Sequence, residues 1–180
     1  MKHVNEGMTN TVIEAASAFF AERGVWGTSL GDIAKEVGIS KGTLYYYFPT
    51  KDALVEAVAS RTIKDIGDRL MAWVDTVKDA GSREEPLYGL CSALLEGFSL
   101  RIFVELNNYA EPESGLEEMI DRAMSEWNVM IEVGSLRMQP EVALKIKRIL
   151  AAVLPFLCGL AALNADIDYA KEAFAALVLG

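Results

Sequence analysis

An all-α fold is predicted for this 180-residue chain by three observations. Apolar residues recur at three- and four-residue spacing along almost its whole length. No alternating apolar and polar stretch lies between hairpin turn signals. Helix-starting residues (Ser, Thr, Asp, Pro) and helix-stopping glycines punctuate the pattern at helix-length intervals. A hydrophobic content of 52% allows a full core, and the length suits a small head on a larger body. The predicted organisation is a three-helix N-terminal head, residues 1–50, continuous with a larger C-terminal helical bundle, residues 51–180.

The elements follow in order. A first helix, Thr9 to Arg23, carries Val12, Ile13, Ala16, Phe19 and Phe20 on one face and stops at Gly24. Ser29 can cap a second helix from Leu30, with Asp32 three residues on completing a capping box that satisfies free amides and complements the dipole. Leu30, Ile33, Ala34 and Val37 form its apolar stripe, and Gly38 allows the left-handed turn that ends it. Ser40 caps a third helix, Lys41 to Tyr47, anchored by Leu44 and Phe48. A fourth, opening at Thr50-Lys51-Asp52, runs to Lys78 with Leu54, Val58, Ile66, Leu70 and Trp73 inward, and ends before Ala80-Gly81-Ser82. Its first half packs on the head and its second on the body, with no linker between. Further helices are read from Pro86 to Asn107, Pro112 to Leu136, Pro140 to Leu163 with a bend at Pro155, and Ile167 to Leu179 behind an Asp166 cap.

Helix, short glycine-containing turn and helix is the helix-turn-helix pattern, whose second helix enters the major groove of DNA. The third helix spends only Leu44 and Phe48 on the core, leaving Lys41, Gly42, Thr43, Tyr45 and Tyr46 for another surface. Lysine suits a phosphate or guanine and threonine a base edge or thymine methyl, while Gly42 permits close backbone approach. The start of the fourth helix at Thr50-Lys51-Asp52 joins a cap, a cation and a helix N-terminus, an arrangement that favours anions.

Residues 9 to 58 resemble the tetracycline-repressor (TetR/AcrR) family of transcription regulators. The likeness runs through VIEAASAFFAERGVWGTSLGDIA and VGISKGTLYYYFPTKDALV, in order and in spacing. It implies a DNA-facing role for Thr28, Ser40, Lys41, Gly42, Thr43, Tyr45, Tyr46 and Lys51. Two positions depart from the commonest pattern. Tyr47 stands where histidine is frequent, and Trp26-Gly27 is an unusual lead into the second helix.

Charge is unevenly placed. Up to Lys64 seven basic residues balance seven acidic ones, so the remainder, with ten against nineteen, holds the whole net charge of -9. An acidic body repels DNA and leaves the head as its contact surface, although acidity also serves solubility alone. Cys91 and Cys158 lie far apart without CxxC spacing, which reads as reduced, cytoplasmic thiols. No signal-length run follows Lys2, and no uninterrupted apolar stretch reaches spanning length. The one histidine, His3, leaves no basis for a His-based triad or zinc site, so neither enzyme nor metal chemistry is expected, and no cofactor. Glu84-Glu85 and Glu117-Glu118 are adjacent on helices and point apart, as solvated faces do.

Large, adaptable side chains gather in the body: Trp73, Phe98, Phe103, Tyr109, Met119, Met124, Trp127 and Met130. They fit either a ligand cavity or a filled core; the resemblance, whose members carry effector cavities, favours a pocket lined by Trp73, Phe98, Phe103, Tyr109, Met124 and Trp127. The last two helices are apolar nearly all round and rich in small residues. They fit an intramolecular core or, as the resemblance implies, a homodimer interface through Leu157, Ala161, Ala170, Phe174 and Leu177. The reading is thus a homodimeric regulator, expected to be a repressor, that leaves a pseudo-palindromic double-stranded operator when a small apolar or amphipathic effector binds. The rival is a DNA-bound adaptor whose body holds a protein partner.

Overall fold

The computed structural model describes residues 2–77 and 82–180, with side chains from residue 6 onward. The described residues form nine helices and no strand: α1 (Lys2–Arg23), α2 (Leu30–Val37), α3 (Lys41–Tyr47), α4 (Lys51–Thr76), α5 (Glu85–Leu95), α6 (Ser99–Tyr109), α7 (Gly115–Ser135), α8 (Pro140–Ala162) and α9 (Ile167–Leu179). The expected end of α4 at Lys78 and its Ala80-Gly81 stop lie outside the described residues, as does the His3 side chain.

Local chemistry sets most boundaries. Ser29 accepts from the Asp32 amide while the Asp32 carboxylate receives the Ser29 amide and hydroxyl, closing the capping box of α2. Those bonds, the hydroxyl's foremost, hold the Asp32 carboxyl below its ordinary value. Gly38, at φ 75°, ends α2 in the left-handed conformation. Ser40, Thr50, Ser114 and Asp166 cap α3, α4, α7 and α9 through backbone amides. α1 begins earlier than Thr9, extending to Lys2.

One predicted helix is two. The segment from Pro86 to Asn107 breaks at Glu96-Gly97-Phe98, where Gly97 adopts φ 80°, and α5 and α6 meet at 58°. A left-handed residue cannot continue a right-handed helix, so the apolar periodicity carries on while the axis turns. α8, in contrast, runs through Pro155 as a single element.

α1, α2 and α3 close the head around Val12, Ala16, Phe20, Ile33, Ala34, Leu44 and Phe48, all buried. α4 buries Leu54, Val55 and Val58 near this cluster and Ile66, Leu70, Trp73 and Val74 further along, and it packs on α1, α5, α6 and α7. The head also meets the body directly, α1 against α6. Burial of this many Leu, Ile, Val and Phe side chains, each contributing about 1.5–3 kcal/mol, joins both parts through one continuous core.

Cys91 and Cys158 are free thiols. Burial pushes them up to about 12 and about 11, which suppresses the reactive thiolate at neutral pH.

Candidate nucleic-acid interface

α3 offers one consistent face. Leu44 is fully buried and Phe48 nearly so, which turns Lys41, Gly42, Thr43, Tyr45 and Tyr46 outward; all five are exposed, Tyr46 by 77%. Tyrosine rings at this exposure gain little from burial, so packing does not account for them. Ser40 accepts from the Thr43 amide, and its hydroxyl lies 2.8 Å from that of Thr43, so the cap and the Thr43 side chain form one polar unit at the start of α3. The Lys41 side chain lies across Gly31, where an added Cβ would come within 2.8 Å of Lys41 Cε. A glycine at the start of α2 therefore leaves the lysine its path over the turn.

Two residues assigned to this face are placed differently. Thr28 is buried, and its hydroxyl donates to the Gly24 carbonyl at 2.9 Å, completing the turn that leads into α2. Its side chain holds the turn together and presents no hydroxyl outward. Lys51 is half-buried and donates from Nζ to the Val25 carbonyl at 2.7 Å. Burial lowers its ammonium below lysine's ordinary value in spite of Asp52 beside it. An ammonium has three donors, so one is committed within the fold and the others are available.

The residues assigned to one body pocket do not share one. Trp73 is buried between α5 and α7, its Nε1 donating to the Pro86 carbonyl at 2.8 Å. Phe103 and Trp127 pack ring against ring at 4.6 Å within the core. Phe98, in the α5–α6 break, is 64% exposed. Tyr109 faces the head instead, donating from its hydroxyl to Asp52 at 2.7 Å. Of the six, Phe103 and Met124 line an open groove of about 310 Å³ together with Val104, Asn107, Pro155, Cys158, Gly159 and Ala162. The aromatic cluster is filled core because its rings find each other and the backbone; composition alone does not distinguish that from a lined void.

The C-terminal pair needs the same correction. Leu157, Ala170 and Phe174 have no exposed surface, and Phe174 stacks near Phe156 inside the protomer. Ala161 is partly buried, and of the five assigned residues only Leu177 is exposed. The residues left exposed include Ala151, Ala152, Pro155, Gly159 and Ala162 on the second half of α8, and Asp168, Tyr169, Glu172, Ala176 and Leu177 on α9. α9 packs against both α5 and α8, which takes Ala170, Phe174 and Val178 inward.

Comparison with known proteins follows the same division. Residues 12–58 match the bacterial regulatory proteins of the tetR family. Over 91 residues the chain is 35% identical to the HTH-type transcriptional repressor KstR2 of Mycolicibacterium smegmatis, covering 50% of this chain and 42% of that protein. Over 112 residues it is 31% identical to IcaR of Staphylococcus aureus, the HTH-type negative transcriptional regulator of the biofilm operon icaADBC, covering 60% and 58%. Residues 12–58 are thus a tetR-family head. The chain spans about half the length of these curated relatives. The tetR fold extends beyond the head. A transcriptional regulator from Saccharomonospora viridis, solved in complex with choline, superposes with a TM-score of 0.78 at 18% identity over 96% of each chain. Another, from Rhodococcus sp. Rha1, does so at 0.70 and 21% over 94% of this chain and 93% of that one. At such identity the likeness is one of fold, an all-α helix-turn-helix head on a helical bundle.

Proposed function

We propose that this tetR-family chain is a DNA-binding transcription regulator, a homodimeric repressor that releases a pseudo-palindromic operator when a small apolar or amphipathic molecule binds its body. The observation that carries the reading is the outward set Lys41, Gly42, Thr43, Tyr45 and Tyr46 on a helix whose other side is locked into the head. In the major groove, Thr43 and Lys41 read base edges while Tyr45, Tyr46 and Lys51 hold phosphates. Repressor function in KstR2 and IcaR supports the sign of regulation.

Dimerisation is assigned to the small-residue face of α8, which lets backbones approach closely, with Tyr169, Ala176 and Leu177 of α9 as further contacts. The groove beside Phe103 and Met124 opens on the same side of α8, since Pro155, Gly159 and Ala162 belong to both. A second copy seated there narrows the groove's mouth, so an effector of about this volume acts where protomer contacts and helix positions meet. Its effect depends on binding the DNA-incompetent arrangement more tightly than the competent one. α4 is the mechanical link, with α1 against α6 as a second contact. Two heads that read successive major-groove faces sit about 34–36 Å apart, so a small tilt costs contacts in both half-sites.

Titrating the protein against DNA selected from random fragments tests the reading. Lys41→Ala and Tyr46→Phe are expected to weaken binding about five- to tenfold with unchanged melting temperature. Lys51→Ala is expected to lower the magnitude of the salt slope by about one unit on every sequence. Wild-type affinity in all three variants, or no selected sequence at all, removes the proposed face.

A further inference from the structure

The seam between head and body contains a cleft of about 450 Å³. Trp26 of the α1–α2 turn, Asp52 and Glu56 of α4, and Tyr109 and Glu111 at the end of α6 wall it, above an apolar floor that includes Val55 and Leu116. Trp26 is 70% exposed although its ring lies 4.6 Å from that of Tyr109, tilted by 53°. The turn that presents this indole is tightly built: a Cβ on Gly27 would lie 2.4 Å from the Arg23 carbonyl oxygen, so only glycine fits there.

We propose that this cleft is a binding site for a small organic cation, an alkylated ammonium group seated against the Trp26 and Tyr109 rings, with Asp52, Glu56 and Glu111 supplying the counter-charge. Aromatic faces are negative and attract cations, tryptophan most strongly. The Tyr109 ring already draws one: Lys51 Nζ lies 5.7 Å from its centroid. That ammonium is tied to the Val25 carbonyl, and among the described residues no Lys or Arg sits over the Trp26 ring. The indole is therefore the open position. Burial first, and then the bond to Asp52, push the Tyr109 phenol up to about 12, so it adds no negative charge at neutral pH and keeps its hydroxyl on Asp52. The carboxylates are too dispersed for chelation, since among the described residues no three His, Cys, Asp or Glu side chains are grouped to hold a metal ion. Dispersed charge over an apolar floor matches a bulky, weakly hydrated cation better than a compact, strongly hydrated one. The cleft touches α1–α2, α4 and α6 together, the elements that fix the head on the body.

This site does not depend on the operator reading, because occupancy is measured on the free, full-length protein. The probe is tetramethylammonium chloride at constant ionic strength, with neopentyl alcohol as the neutral counterpart of similar shape. Trp73 and Trp127 are 4% and 1% exposed, so a saturable change in tryptophan fluorescence reports Trp26. Calorimetry then compares variants. Trp26→Ala, and Glu56→Gln with Glu111→Gln, are expected to weaken binding roughly fivefold or more, while Tyr109→Phe, which keeps the ring, stays within about twofold. All these positions except Tyr109 are exposed, and melting curves confirm that the variants are folded. The proposal is overturned if tetramethylammonium shows no saturation, if neopentyl alcohol binds as tightly, or if Trp26→Ala binds like wild type.

Discussion

Phe174→Glu is expected to leave no folded protein, whereas Gly159→Glu is expected to leave a folded monomer. Phe174 has no exposed surface and lies 6.2 Å from the Phe156 ring within its own protomer. Losing a buried phenylalanine side chain costs about 3–5 kcal/mol, and a carboxylate in the same space, without a partner, costs several more. The sum is comparable to the whole stability of a typical domain, about 5–15 kcal/mol. Gly159 is the opposite case. It is exposed on α8, and a Cβ there meets nothing within 4 Å, so glutamate replaces a poor helix former at no steric cost. Its charge matters only if another protomer covers it, where an unpaired buried carboxylate weakens association by about 3 kcal/mol or more, over a hundredfold. Circular dichroism and sedimentation velocity separate the outcomes. A soluble, helical Phe174→Glu protein would show that this residue does not hold the core, and a wild-type dimer unaffected by Gly159→Glu would place the interface elsewhere.

Gly134→Ala is expected to lower the melting temperature by roughly 5–10 °C. Trp73 stands in a slot between two glycines: a Cβ on Gly134 of α7 would lie 2.4 Å from ring atom Cζ3, and one on Gly89 of α5 3.1 Å from Cδ1. The ring cannot slide away freely, because its Nε1 donates to the Pro86 carbonyl. Alanine favours the helix by up to about 1 kcal/mol, yet forced overpacking at a pinned ring costs more, leaving a net loss of about 2–3 kcal/mol. For a domain of this size each kcal/mol shifts the midpoint about 2–4 °C. Combining Gly134→Ala with Trp73→Phe removes ring atoms from the crowded side, so the double variant should lose less than the sum of the singles. A Gly134→Ala protein that melts at or above wild type would refute the slot. The slot also changes what Trp73 means: it holds α4 against α5 and α7. Trp73→Phe is accordingly expected to cost stability, with the effector concentration for release unchanged.

Much of this protein was legible in its residues alone. The α2–turn–α3 unit was, because capping boxes, left-handed glycines and a two-sided short helix are decided within a few residues of chain: Ser29 with Asp32, Gly38, Ser40 with Thr43. The outward set on α3 followed from the same local geometry, since Leu44 and Phe48 point inward with Tyr47 partly buried beside them. The all-α class and the starts of α8 and α9 were equally local, whereas α7, read from Pro112, starts at Gly115 behind the Ser114 cap. What only the tertiary structure decided is which face of an element meets which neighbour. Thr28 turned inward because its hydroxyl reaches the Gly24 carbonyl, and Lys51 bends to Val25, a residue 26 positions away. The Pro86–Asn107 periodicity persisted through a break because one left-handed glycine turns the axis without altering the apolar spacing. Trp73, Phe103 and Trp127 fill the core and Tyr109 joins the head–body seam, while α9 gives Phe174 to its own protomer. Helical periodicity records that a side chain is buried; the partner that buries it comes from elsewhere in the chain, and that choice is made only when the helices pack.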